Sequence, residues 1–143
     1  MSEQKYLLDT NICIELLNKN CSNRLMNAFR HAGIRNCAVS DLTVFELKVG
    51  IEVTRRRMGV DKTPFLERFL KGFEVIPSAQ YHDVAAKEKA NLHIIGKPNG
   101  SFVDLIIGCT AVQNKMIMVT RNIKHFENIR NICLENWVEN CLK

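Results

Sequence analysis

Several short stretches of this 143-residue chain have apolar centres with no polar residue alternating through them: KYLL (5–8), NCAVS (36–40), FEVIP (73–77) and KMIMVT (115–120). A strand with one face in water alternates polar and apolar residues. Strands that do not alternate are covered on both faces, as in a parallel sheet between helix layers. The intervening segments supply those layers. TNICIELLNK, SNRLMNAFRHAG, DLTVFELKVGIEVTRRRMG, TPFLERFLKGF, SAQYHDVAAKEKANLHIIG and SFVDLIIGCTAVQN each read as a helix, and RNICLENW supplies a last short strand. Asp9 or Thr10 caps the first helix, and Ser40 or Asp41 the long one, which closes near Gly59. Pro64 sits early in its helix, where proline is tolerated, and KPNG (97–100) reads as a turn. The expectation is an α/β fold in one domain over residues 1–143, with no repeat, low-complexity tract or long linker.

In open parallel sheets the ligand crevice lies beyond the carboxyl ends of the strands. Asp9 directly follows the first strand and Thr120 closes KMIMVT, so both belong at that crevice.

Composition narrows the classes. Hydrophobic residues make up 46% and charged residues 24%, as in an ordinary globular protein. No apolar run approaches the ~20 residues of a membrane span, and MSEQKYLLD lacks signal-peptide architecture, so a cytoplasmic location with no membrane partner is expected. The six cysteines (13, 21, 37, 109, 133 and 141) form no C-x-x-C pair and have no histidine at zinc-finger spacing. They read as reduced thiols. Twenty Lys and Arg against fifteen Asp and Glu give a net charge of +5, which favours a polyanionic partner. Arg55, Arg56 and Arg57 read as a solvated face.

Against this basic background, three acids stand in apolar settings: Asp9 in YLLDTNICI, Glu46 in LTVFELKVGI and Asp104 in FVDLIIG. Each also has an ordinary reading. Asp9 suits an N-cap, and Ser101 with Asp104, like Thr43 with Glu46, has capping-box spacing. A helix starting at Ser40 or Asp41 puts Glu46 too far inside to cap. Gly50 and Gly108 follow Glu46 and Asp104 at i+4, the position that covers a helical side chain, so both glycines are expected to leave their carboxylates uncovered. Carboxylates gathered together push one another's pKa values up unless a cation joins them. Oxygen donors without His or Cys suit Mg²⁺ or Mn²⁺. Such an ion in a basic protein points to phosphodiester chemistry, with Thr10, Asn11, Thr120 and Asn122 placed to orient its waters. His31, His82, His93 and His125 are scattered without ligand or triad spacing and read as ordinary surface or core residues, with His125-Phe126 packing a turn. Trp137 reads as an anchor for the C-terminal segment.

LLDTNICIELL, SDLTVFELKVG, VDLIIGCTAVQNKMIMVTRNIKHFENI and the closing ENW, in that order, resemble the PIN-domain family, and more narrowly the VapC-type toxins of bacterial toxin–antitoxin pairs. The resemblance implies a Rossmann-like three-layer α/β/α sandwich with a short parallel sheet. It also implies a Mg²⁺- or Mn²⁺-dependent endoribonuclease, a homodimer, and inhibition by a small VapB-like antitoxin. The family's acids fall on Asp9, Glu46 and Asp104 as catalytic and metal-holding residues, and its fourth position is Asn122 here. Lys87, Lys89, Lys97 and Arg121 become the RNA-contacting residues on the basic side. Two rivals stand beside this reading: a degenerate PIN-fold module that binds RNA or a partner without cutting, and a phospho-accepting receiver domain. The receiver needs an acid after a central strand and a lysine after the last, and FEVIPS and NICLENW provide neither.

Overall fold

The computed structural model describes residues 4–97 and 100–139. Five strands, β1 (Tyr6–Leu8), β2 (Cys37–Ser40), β3 (Glu74–Ile76), β4 (Ile117–Val119) and β5 (Cys133–Glu135), form one sheet in the order β3-β2-β1-β4-β5. Every pairing in it is parallel. Six α-helices connect and cover the strands: α1 (Thr10–Leu17), α2 (Asn23–Ala32), α3 (Asp41–Met58), α4 (Thr63–Leu70), α5 (His82–Ile94) and α6 (Phe102–Gln113). The turn KPNG, expected at 97–100, lies partly outside the described residues.

The uniform apolarity of the strands has a direct cause. Successive side chains point to opposite faces, and in the inner strands β1, β2 and β4 both faces are largely buried. The edge strands leave Glu74, Val75 and Cys133 exposed. Leu7, Ala38 and Met118 pack on one face with Leu92, Leu105, Ile107 and Phe126, beneath α5 and α6. Leu8, Val39 and Val119 pack on the other with Ile12, Leu25, Leu47, Leu66 and Trp137, beneath α1 to α4. The result is a three-layer α/β/α sandwich. Trp137 anchors the last segment as expected, its ring edge-on to Tyr6 at 5.2 Å between centroids.

Boundaries shift where local chemistry intervenes. The segment read as one helix from Ser78 begins as a 3-10 turn at Ala79–Tyr81 before α5. KMIMVT contributes only Ile117–Val119 to the sheet, because Lys115 takes a left-handed φ of 56° in closing α6. Gly59, at φ 69°, terminates α3 as anticipated, a conformation that costs glycine nothing. No helix among the described residues is long and apolar enough to cross a membrane. Cys13, Cys37 and Cys109 are buried free thiols, and burial pushes Cys37 and Cys109 up to about 11, leaving them inert. Cys141 lies outside the described residues.

The topology places the crevice. From β1 the chain runs outward through β2 and β3, then returns to lay β4 on the opposite side of β1. The connections therefore diverge between β1 and β4, just beyond Leu8 and Val119, which are register partners.

Candidate active site

Because Leu8 pairs with Val119, the next residues, Asp9 and Thr120, emerge side by side. The Asp9 amide donates to the Val119 carbonyl at 2.9 Å, extending the pairing one step past the strands. The Thr120 hydroxyl then donates to Asp9 Oδ2 at 2.8 Å. Asp9 also caps α1, its Oδ1 accepting the Thr10 amide at 2.8 Å. The capping role and the crevice position thus coexist in one residue.

Asp9 is 5% exposed, and no Lys, Arg or His pairs with it among the described residues. Burial drives its pKa above the ordinary carboxylate range. The Thr120 and Thr10 hydrogen bonds oppose that shift, and the charges of Asp104 and Glu46 add to it. That last contribution links the three acids: Asp104 and Glu46 are near enough to act on Asp9 electrostatically.

Glu46 reaches the crevice because Ser40, at the end of β2, caps α3 with its hydroxyl on the Leu42 amide. One helical turn later Thr43 is fully buried and Glu46 faces α1. The Thr10 hydroxyl donates to Glu46 Oε1 at 2.5 Å, and the Thr10 and Thr43 hydroxyls lie 3.2 Å apart. Glu46 lies too deep in α3 to cap it, as expected. It is nevertheless exposed, despite its apolar neighbours in sequence.

Asp104 departs furthest from expectation. It completes the capping box of α6, the Ser101 hydroxyl accepting its amide at 3.1 Å while its Oδ2 accepts the Ser101 amide at 3.3 Å. Its side chain is 20% exposed, and His125 Nδ1 sits 3.2 Å from the same Oδ2. It is therefore neither fully buried nor without a partner. The partner is simply absent from its own helix.

Neither Gly50 nor Gly108 uncovers a carboxylate. A Cβ at Gly50 would meet nothing within 4 Å, so that glycine clears no space for Glu46. At Gly108 a Cβ would stand 2.5 Å from Ile129 Cδ1, so this glycine admits the segment after β4 rather than baring Asp104. The glycine that makes room for a carboxylate is Gly100, where a Cβ would fall 2.4 Å from Asp104 Oδ2.

The remaining site residues divide. Thr10 and Thr120 hold Glu46 and Asp9. The backbone N–H of Asn122 donates to Thr120 Oγ1 at 2.9 Å, so the main chain at 122 backs the hydroxyl that holds Asp9. Asn11 and Asn122 line a cavity of about 360 Å³ with Ile14, Glu15, Arg121 and Glu139. Arg121 pairs there with Glu15 at 3.1 Å. Lys87 and Lys89 are exposed on α5, which packs along α6, and Lys97 is exposed beyond its end. Arg55 and Arg56 pair with Glu52 on the surface of α3.

Sequence reasoning missed His125, Gly100 and Glu88. The last is a buried acid on α5 that accepts the Arg130 amide at 2.9 Å and so ties down the segment following β4. The adjacency of Gly100 to the Ser101 cap was a visible signal. His125 offered none, since its partner lies 21 residues back in the chain.

The donor chemistry fits a hard divalent cation, being carboxylate and hydroxyl oxygen around a buried acid with no basic counter-charge. The geometry is open. Among the described residues, no three His, Cys, Asp or Glu side chains form a group that could hold a metal ion.

Residues 6–132 match the PIN domain family. The chain is 31% identical over 137 residues to the protein named ribonuclease VapC2 of Rickettsia felis, covering 92% of this chain and 97% of that one. It is 31% identical over 140 residues to the tRNA(fMet)-specific endonuclease VapC of Salmonella typhimurium, covering 93% and 98%. The fold superposes on a chain of the Rickettsia felis VapBC2 structure, bound to a promoter DNA fragment, with a TM-score of 0.79, 29% identity, and 94% and 99% of the chains covered. A sheet whose β1 and β4 ends carry the first acid and its threonine, and a sequence matched over nearly its full length, lead to one conclusion: the chain belongs to the PIN-domain family, among its VapC-type members.

Proposed function

We propose that this protein is a Mg²⁺- or Mn²⁺-dependent endoribonuclease, acting as the toxin of a toxin–antitoxin pair. The observation that carries the reading is Asp9: a buried carboxylate at the point where the connections diverge, raised in pKa, with two further acids acting on it and no basic residue among the described ones neutralising it. A group so placed is costly unless a cation joins it. The names of the relatives, ribonuclease and tRNA-specific endonuclease, support the activity and make tRNA the first substrate to offer.

Asp9, Glu46 and Asp104 would hold the ion. When bound, the ion supplies acidity for water and positive charge for the phosphodiester. The residues of the chain do the rest. Thr120 and the Thr10 amide fix the Asp9 oxygens, and the Thr10 hydroxyl fixes Glu46. Asn11 and Asn122 offer amides from the adjoining cavity to polar atoms of a bound nucleotide. Arg121, Lys87, Lys89 and Lys97 supply phosphate contacts, which position RNA without reading its sequence.

VapBC complexes among the similar structures support a small VapB-like antitoxin as partner. Phe45, Val49 and Val53, four residues apart on α3 and 65%, 46% and 41% exposed, form an apolar stripe suited to burial against a second copy of the chain.

The open arrangement of the carboxylates and the asparagine at position 122 favour one rival, a PIN-fold module that binds RNA or a partner without cutting. The decisive variant is Asp104→Asn, which keeps the shape and the helix cap. It is expected to abolish metal-dependent RNA cleavage with the fold intact. Cleavage at the parent rate would defeat the assignment.

A further inference from the structure

Nothing in the apolar run FVDLIIG provides Asp104 with a partner, yet three features outside that helix converge on its carboxylate. The first is His125, whose Nδ1 lies 3.2 Å from Asp104 Oδ2. The second is Gly100, which leaves space where a Cβ would come within 2.4 Å of that oxygen and 3.0 Å of His125 Cβ. Its amide also donates to the His125 carbonyl at 3.1 Å, joining the start of α6 to the segment after β4. The third is the fixing of that segment itself. Phe126 is fully buried in the core, and the Glu88 carboxylate accepts the Arg130 amide at 2.9 Å. A half-exposed histidine is thus tied through its carbonyl to Gly100 and followed by a segment that buried Phe126 and Glu88 hold down.

We propose that His125 is a positioning residue for Asp104. The His125 ring presents Nδ1 at 3.2 Å from Oδ2, the oxygen already accepting the Ser101 amide, so a proton on Nδ1 would face that oxygen. Both contacts fall on Oδ2, which restrains the carboxylate and leaves Oδ1 outside the clasp. A carboxylate that ligates a cation binds more tightly when its other contacts are fixed in advance, since less rotational freedom is lost on binding. His125 acts through Asp104 and does not touch the reacting phosphate.

The inference rests on the metal-dependent ribonuclease reading, and the experiment separates their failures. Mn²⁺ binding to the purified full chain is measured by calorimetry for the parent, His125→Ala, His125→Asn, His125→Gln and Gly100→Ala, alongside RNA cleavage at limiting and saturating Mn²⁺. His125→Ala is expected to weaken Mn²⁺ binding about 10-fold or more. Asn, whose amide nitrogen can replace Nδ1, restores most of the affinity, whereas Gln, whose amide mimics the far side of the ring, does not. Gly100→Ala, with the imidazole intact, weakens binding by crowding the carboxylate. Cleavage by His125→Ala recovers at saturating Mn²⁺. A parent that binds no Mn²⁺ overturns both readings together. A parent that binds, with His125→Ala binding equally or more tightly, overturns this inference alone. So does cleavage by His125→Ala that stays low at saturating Mn²⁺, because the imidazole would then act on the substrate directly.

Discussion

Thr120 Oγ1 lies 2.8 Å from Asp9 Oδ2, a hydrogen bond between residues 111 positions apart that spans the point where β1 and β4 part. The sheet brings them together, and the bond makes a buried carboxylate tolerable. Replacing the hydroxyl by a methyl group of the same shape, as in Thr120→Val, leaves Asp9 with one fewer donor. The expected cost is ~1–3 kcal/mol in urea unfolding, with loss of nuclease activity, while Thr120→Ser stays near the parent. A valine variant as stable and active as the parent would mean that the bond contributes nothing.

The raised pKa of Asp9 has a consequence for stability. Its folded value lies above its unfolded one, so between those values the native state binds more protons than the unfolded chain. Asp9 therefore favours folding at low pH, and that contribution is lost as pH rises through the folded pKa. Asp9→Asn keeps the shape and the cap without the charge. At neutral pH in chelator, the variant should be more stable than the parent, and the gap should close as pH falls below the ordinary carboxylate range. Urea unfolding across pH measures the difference. A gap that is constant with pH would contradict the assigned shift.

Adding Mn²⁺ should reverse that ranking. An ion bound only by the native state stabilises it by ~2.7 kcal/mol at one hundred times its dissociation constant. Thermal unfolding should show the parent shifted upward by Mn²⁺ and Asp9→Asn unmoved. Equal shifts in both would place the ion elsewhere.

Two glycines that share one sequence context should behave in opposite ways. Gly108→Ala drives a methyl group into Ile129, and overpacking of this kind costs ~1–3 kcal/mol. Gly50→Ala meets open space and should stabilise α3 by up to ~1 kcal/mol, the helix-propensity difference. Denaturation midpoints decide it. Parallel effects would refute the packing assigned to α6.

This contrast also marks what the chain discloses by itself. The inner strands were legible because burial on both faces leaves a plain mark, as in YLL and CAV, and helix ends because Ser40, Ser101 and Gly59 carry out their local chemistry. That Asp9 and Thr120 both lie at the crevice followed from the crevice rule. The surroundings of the acids were harder to read. Glu46 lies among apolar residues in sequence yet is exposed, because its face of α3 opens at the crevice. Asp104 looked unpaired because His125 reaches it only through the fold. Spacing along a helix could not distinguish Gly50, facing solvent, from Gly108, pressed against Ile129. Such contacts depend on tertiary packing, which no local pattern encodes.

The central claim is that Asp9, Glu46 and Asp104 trap a divalent ion with which the protein cuts RNA. It is tested most directly by incubating the purified chain with tRNA in excess EDTA, then restoring Mn²⁺, with Asp9→Asn in parallel. The account predicts no cleavage in EDTA, cleavage on Mn²⁺ addition, and an Asn variant inactive throughout. Cutting that persists in EDTA, or that Asp9→Asn carries out at the parent rate, would contradict it.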